Sequence, residues 1–135
     1  MPVTYEIDRG GGLIRTKCVG DVNLFEVLEH FRTLEKDPNR PDHLDVFLDL
    51  REMTSSPSAE EIRAASGGVA GIQGAVRFGI CAVVAQRDAL FGMSRMFGVF
   101  VEPFFRAIRV FRTATEAETW LQEQRSDYGN RIKHA

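Results

Sequence analysis

The chain opens with two stretches in which successive side chains alternate between inward and outward positions. Residues 3–8 follow this pattern, and residues 14–18 repeat it after the glycines at 10–12. Such alternation is typical of strands with one buried and one solvated face, and glycines between them favour a tight turn. We therefore predict an opening β-hairpin. Its inward positions are Val3, Tyr5, Ile7, Ile14, Thr16 and Cys18.

Two helices are predicted next, each from a polar residue placed three positions before a glutamate. Asn23 precedes Glu26, and Ser58 precedes Glu61. This spacing lets side chain and backbone cap each other at a helix N-terminus. Apolar residues then recur at helical spacing: Leu24, Val27, Leu28, Phe31 and Leu34 in the first helix, and Ile62, Ala65, Val69 and Ile72 in the second.

The rest of the chain alternates apolar runs with helix signals. Asp88 is predicted to cap a third helix, and Thr115 with Glu118 to cap a last one that carries Ala117, Trp120 and Leu121. The polar residues beyond position 125 are expected to fray. Continuous apolar runs predict strands covered on both faces at 46–50, 78–85 and 107–111.

The predicted order of elements is ββαβαβαβα. Strands separated by helices pair through crossovers, which favours a mostly parallel five-stranded sheet with an antiparallel first strand. We find no internal repeat or linker. The sequence thus predicts one α/β domain over residues 1–125, followed by a polar C-terminal tail at 126–135.

Length and composition fit a single globular domain. The chain has 135 residues, 44% of them hydrophobic, enough to bury roughly two-thirds of the unfolded surface. The opening residues lack the basic start and apolar core of a secretory signal. The longest uncharged stretch, 64–76, is shorter than the ~18 apolar residues of a membrane span. We expect a cytoplasmic protein without a membrane span.

Chemistry-bearing residues are sparse in this sequence. Cys18 and Cys81 lie far apart inside strand-like runs and are predicted to be core residues. His30, His43 and His134 show no metal-ligand spacing. No serine or cysteine sits in a recognisable nucleophile motif. The sequence therefore predicts no metal site, no cofactor and no catalytic residue.

The net charge of −2 is unevenly distributed. Residues 77–112 carry six basic and two acidic side chains, so an acidic ligand or partner could bind there. The alternative is that these arginines occupy solvated strand ends and helix faces. The overall charge gives no footprint for nucleic-acid binding.

A resemblance to a known family rests on the element order and two short segments. Leu48-Asp49-Leu50-Arg51 ends the third strand, and Phe91-Gly92-Met93-Ser94-Arg95-Met96-Phe97 lies in the third helix. Together they resemble the small bacterial SpoIIAA-like (STAS-type) domains. The resemblance implies an α/β fold shared with sigma-factor antagonists and, more distantly, with Sec14-type lipid-binding domains.

Well-understood members of that family are phosphorylation switches with a serine in an Asp-Ser-x-Gly turn. That signature is absent from this chain after the third strand. Ser55, Ser56 and Ser58 are nevertheless candidates, because a phosphate at a helix N-terminus is favoured by free amides and the helix dipole. Ser58 also has a sufficient structural role as a cap.

Five residues are candidates for binding a ligand or partner. Asp49 and Arg51 end a predicted central strand, where open parallel sheets place ligand crevices, and Arg95 is expected to reach the same rim. This group would hold an anion, or Asp49 and Arg51 are structural. Phe91 lies off the apolar stripe of the third helix and, if exposed, needs a partner. Arg106 precedes the last strand.

Three functions fit these observations. The leading hypothesis is a non-catalytic regulatory or protein-interaction domain, a homodimer formed through apolar surface near the third helix. The second is a carrier of an apolar or anionic small molecule, with a pocket between the third helix and last strand whose mouth is marked by Arg95 or Arg106. The third is a phosphorylation switch at the serines named above.

Overall fold

The computed structural model describes residues 2–133, with side chains through residue 128. His134 therefore lies outside the described residues. In chain order the elements are β1 Val3–Asp8, β2 Leu13–Gly20, α1 Leu24–Lys36, β3 His43–Met53, α2 Ala59–Ile72, β4 Arg77–Val84, α3 Asp88–Val101, a 3₁₀ turn Glu102–Phe104, β5 Ala107–Phe111 and α4 Ala114–Lys133.

The strands form one sheet in the order β1-β2-β3-β4-β5. β1 is antiparallel to β2, and the other pairs are parallel, which confirms the predicted topology. Because parallel connections are right-handed and the strand order never reverses, α1, α2 and α3 lie on one face of the sheet. α4 follows the last strand and packs on the other face, against β3, β4 and β5.

Local sequence signals set the first two helices and the hairpin. The capping boxes at Asn23 with Glu26 and at Ser58 with Glu61 both form as predicted. Between β1 and β2, Gly12 has a φ of 63°, a left-handed conformation that glycine adopts without a Cβ clash.

The caps predicted for the last two helices are wrong. Arg87 holds the N-cap position of α3, and Asp88 is its first helical residue. The Asp88 carboxylate instead accepts a hydrogen bond from Arg112 Nη1 at 2.6 Å. At the start of α4, Thr113 Oγ1 accepts from the backbone amide of Glu116 and donates to its carboxylate. The cap thus lies two residues before the predicted Thr115.

The region predicted as a fraying tail is helical in its described part. α4 continues as far as Lys133. Arg125, directly before this region, donates from its Nη1 to Asp45 Oδ2 at 2.9 Å and so ties the helix to β3.

Buried side chains fill the layer between α4 and the sheet. Phe47, Ile80 and Val84 pack there against Ala117 and Leu121. Cys18 and Cys81 are buried free thiols on the opposite side, as predicted for core residues. Burial raises the pKa of Cys18 to about 12 and also raises the pKa of Cys81.

Candidate functional site

An apolar cavity lies between the sheet and the helices α1, α2 and α3. Its volume is about 160 Å³, the size of a cavity that holds a benzene-sized molecule. Strands β2, β3 and β4 form its floor and α2 forms its roof. Residues of the floor include Ile14, Leu48, Leu50 and Val83, and those of the roof include Ile62, Ala65 and Val69.

The cavity lies where α2 packs chiefly on its neighbouring helices, with its last residue, Ile72, packed against Ile14 and Leu44 of the sheet. α2 contacts α1 and α3, whereas α4 on the other face packs directly on β4. Gly68 allows the α1 contact, since a Cβ there would lie 2.6 Å from a ring carbon of Phe31. Gly67 and Gly71 have open space around them and serve no such contact. Each lowers the stability of the helix by roughly 1 kcal/mol relative to alanine, so α2 has a lower intrinsic helix stability than an alanine-rich helix of the same length.

The loops that precede α1, α2 and α3 meet at one end of the cavity. Ser55 Oγ accepts from the Val22 amide at 2.9 Å and donates to the Val22 carbonyl at 3.0 Å. Arg87 Nη2 donates to the carbonyls of Met53 and Ser55. Val22, Met53 and Pro57 line the cavity at this end. Ser55 and Arg87 therefore tie these loops together at this end of the cavity.

The three serines predicted as phosphate acceptors have different surroundings. Ser55 is engaged with Val22, and Ser58 accepts from the Glu61 amide as the cap of α2. Ser56 is exposed and accepts a hydrogen bond from Arg87 Nη1 at 3.2 Å. Phosphorylation of any of the three stays a prediction, with Ser56 the best placed because a guanidinium lies beside it.

Polar groups at the cavity wall were missed by sequence reasoning. Thr16, Ser94 and His30 all line the cavity. The His30 ring lies 5.3 Å from the Tyr5 ring in an edge-to-face arrangement, and burial lowers the pKa of His30 to about 4. The imidazole is therefore neutral at pH 7. A polar residue at an inward position, such as Thr16 in β2, was the signal that could have found them.

Asp49 and Arg51 lie on the other face of the sheet, in a polar groove beside α4. Arg51 Nε and Nη2 donate to the two oxygens of Asp49 at 3.0 and 2.8 Å, and these hydrogen bonds hold the pKa of Asp49 below its usual range.

The charged groups of this groove pair with one another. Arg15 pairs with Glu118, and Lys17 with Glu52. The groove is larger than the cavity, about 450 Å³. However, the three cations Arg15, Lys17 and Arg51 are each paired with a carboxylate. We favour the cavity as the site because ligand pockets are mostly apolar with few polar groups.

The remaining candidate residues are not brought together. Arg95 is exposed on α3, on the face of the sheet opposite Asp49 and Arg51, and so does not share their rim. The Arg106 guanidinium lies over the Tyr128 ring at 4.0 Å. Phe91 is half-buried with the Arg112 guanidinium 4.3 Å from its ring centre.

The pocket predicted between α3 and β5 does not coincide with the cavity. In that interface Ile108 packs 3.8 Å from the position of a Cβ on Gly98. The cavity lies on the other side of α3, where Met93 and Phe97 line it. Arg95 and Arg106 do not line it, and a role of either arginine in ligand binding stays a prediction. Gly92, on α3, has open space around it.

Comparison with known proteins supports the fold. No family model matches the sequence, and no curated protein does. The chain is similar to an uncharacterised DUF3478-family protein with a SpoIIAA-like fold from Shewanella loihica PV-4. The match covers 88% of this chain and 91% of that chain, with a TM-score of 0.58 and 14% identity. The chain thus has the SpoIIAA-like α/β fold that the sequence predicted.

Two further observations concern the described residues alone. No helix within residues 2–133 combines the length and the apolar character needed to cross a membrane. In the same range, no three histidine, cysteine or acidic side chains cluster so as to hold a metal ion.

Proposed function

We propose that this protein is a carrier that binds a small apolar molecule in the cavity between its sheet and α2. The single observation that supports this most strongly is the cavity itself, about 160 Å³ and lined almost wholly by apolar side chains. Protein cores are normally packed with few voids larger than a water molecule. A cavity of this size costs stability, and a bound molecule would restore the missing contacts. A cytoplasmic location is part of this proposal.

The roof of the cavity offers a direct test. Ala65 lines the cavity from α2, so Ala65→Leu places an isopropyl group inside it. Ala59→Leu is the matched control, because Ala59 is an exposed residue of the same helix. Toluene should raise the melting temperature of the wild type and of Ala59→Leu, since a ligand that binds only the native state stabilises it. It should leave the melting temperature of Ala65→Leu unchanged.

Two outcomes would contradict the proposal. One is a wild type that toluene does not stabilise up to its solubility limit. The other is an Ala65→Leu variant that toluene stabilises as much as it does the control. Without ligand, Ala65→Leu should unfold cooperatively, because the added group fills an existing void.

A second candidate function is the regulatory or interaction domain expected from the sequence. Val99 on α3, the helix predicted to form the dimer contact, supports it, since this apolar side chain is 67% exposed and a second copy would cover it. A homodimer through α3 predicts that native mass spectrometry of the wild type shows a dimer and that Val99→Asp shows a monomer. A monomeric wild type at micromolar concentration would count against it.

A further inference from the structure

Two buried residues beside the cavity carry hydroxyl groups that make no hydrogen bond within the described part of the chain. The buried polar residues are Thr16, Asp49, Ser66 and Ser94. Asp49 pairs with Arg51, and Ser66 donates to the carbonyl of Ile62 at 2.8 Å. Thr16 and Ser94 are each 4% exposed, and neither hydroxyl has a hydrogen bond within the described part of the chain.

The positions of these hydroxyls show what they face. Every fully enclosed side-chain nitrogen or oxygen among the described residues has a hydrogen-bond partner. The Thr16 and Ser94 hydroxyls are therefore not fully enclosed by protein atoms. Both residues line the cavity, and Thr16 also borders the polar groove beside α4. A hydroxyl beside an apolar cavity is favoured by a hydrogen bond to a polar group, which a ligand could supply.

The two hydroxyls lie on different walls of the cavity. Thr16 is on β2, directly opposite Tyr5, whose ring contacts His30. Across the floor, Thr16 is followed by Leu48 of β3 and Val83 of β4 in register, a span of about 10 Å at the usual strand spacing. Ser94 belongs to the wall formed by α3. Apolar side chains of the floor thus separate the Thr16 hydroxyl from the Ser94 hydroxyl.

The charge of the lining limits the ligand further. Among the described residues that line the cavity, Glu61 carries a formal charge and no lysine or arginine is present. A carboxylate taken into this cavity would lose its hydration without gaining a counter-charge. It would also be repelled by Glu61.

We propose that the cavity selects a neutral, mainly apolar molecule that bears a hydroxyl or carbonyl group, bound through a hydrogen bond with Thr16 or with Ser94. A hydrocarbon of the same size lacks the polar group, and a carboxylate carries a charge that the cavity does not compensate. This inference rests on the proposed function, because it specifies the ligand of the same cavity.

The test compares toluene, benzyl alcohol and benzoate, three probes with the same ring. Their affinities are measured by NMR titration of the wild type and of Thr16→Val and Ser94→Ala at pH 7.5. Benzyl alcohol should bind one of the two variants about fivefold more weakly than it binds the wild type, the effect of one lost hydrogen bond. Toluene should bind the variants at least as tightly as the wild type. Benzoate should bind the wild type at least tenfold more weakly than benzyl alcohol.

Ser66→Ala is the control, because Ser66 is buried in α2 but its hydroxyl is bonded within the helix. It should leave all three affinities unchanged. Equal affinity of benzyl alcohol for the wild type and for Thr16→Val and Ser94→Ala would overturn the inference while leaving the cavity as a binding site. So would benzoate binding as tight as that of benzyl alcohol. Failure of both toluene and benzyl alcohol to bind the wild type would overturn the proposed function and this inference together.

Discussion

Three helices cover one face of the sheet, and a single helix covers part of the other. On the α4 face, helix and strands are in direct contact, and the charged groups beside them form ion pairs. On the three-helix face, α2 bridges its neighbours and leaves an apolar void beneath it. The face with more helices is therefore the less tightly packed one. A helix held chiefly by other helices can roof a cavity.

The largest expected difference between the faces concerns two matched leucines. Leu121 on α4 and Leu90 on α3 are each 2% exposed, but Leu90 also lines the cavity. Leu121→Ala should lower the free energy of unfolding by about 4 kcal/mol, and Leu90→Ala by about 2–3 kcal/mol, because a side chain beside a void loses fewer contacts. Urea unfolding measures both. Equal losses would mean that the two faces are packed alike.

The next largest effect concerns the pH dependence of stability at His30, a residue of the cavity face. The unfolded chain binds a proton on His30 below about pH 6.5, whereas burial holds the folded pKa at about 4. Between these values the unfolded state binds more protons, so stability falls as the pH falls. The contribution of His30 to this loss is about 3 kcal/mol.

His30→Phe keeps an aromatic ring against Tyr5 and removes the titrating group. Its free energy of unfolding should therefore fall less than that of the wild type between pH 6.5 and pH 4, as measured by urea denaturation across this range. Parallel pH profiles for the two proteins would show that His30 is protonated equally in the folded and unfolded states.

These effects show how far the sequence predicted the fold and the site. The capping boxes at Asn23 and Ser58 form between residues three positions apart, so the sequence predicts them well. Asp88 was misjudged because its partner, Arg112, is 24 residues away. At the start of α4, Thr113 with Glu116 and Thr115 with Glu118 both have the spacing of a helix cap. Thr113 is the cap because β5 ends at Phe111 and the helix begins at Ala114. The cavity depends on the distance of α2 from the sheet, which no local pattern reports.

A smaller effect distinguishes neighbouring glycines in the roof. Gly67→Ala should raise the free energy of unfolding by about 1 kcal/mol, because open space surrounds this helical glycine and alanine favours helix. Gly68→Ala should lower it, since the new Cβ would meet the Phe31 ring. Thermal unfolding shows whether each variant is more or less stable than the wild type. Stabilisation by both would contradict the close contact of α1 with α2.

The smallest effect lies on the α4 face, at the ion pair of Arg51 with Asp49. Arg51→Gln should cost about 1 kcal/mol or less at pH 7, since the pair is partly solvated. The pair lowers the pKa of Asp49, so its contribution is present above the unfolded pKa of about 3.9 and is lost as the pH falls through the lower folded pKa. Denaturation at pH 7 and at acidic pH should show the difference between variant and wild type shrinking in acid. A difference that grows in acid would contradict the pairing.

The most direct test of the central claim is a methyl NMR titration of the wild-type protein with toluene. The cavity on the three-helix face predicts shifts at Val69, Leu90 and Leu34, which line it. It predicts unchanged signals for Leu121 and Val84, which pack on the α4 face. Shifts concentrated at Leu121 and Val84, or no shifts at saturating toluene, would contradict the claim that the loosely packed face binds the ligand.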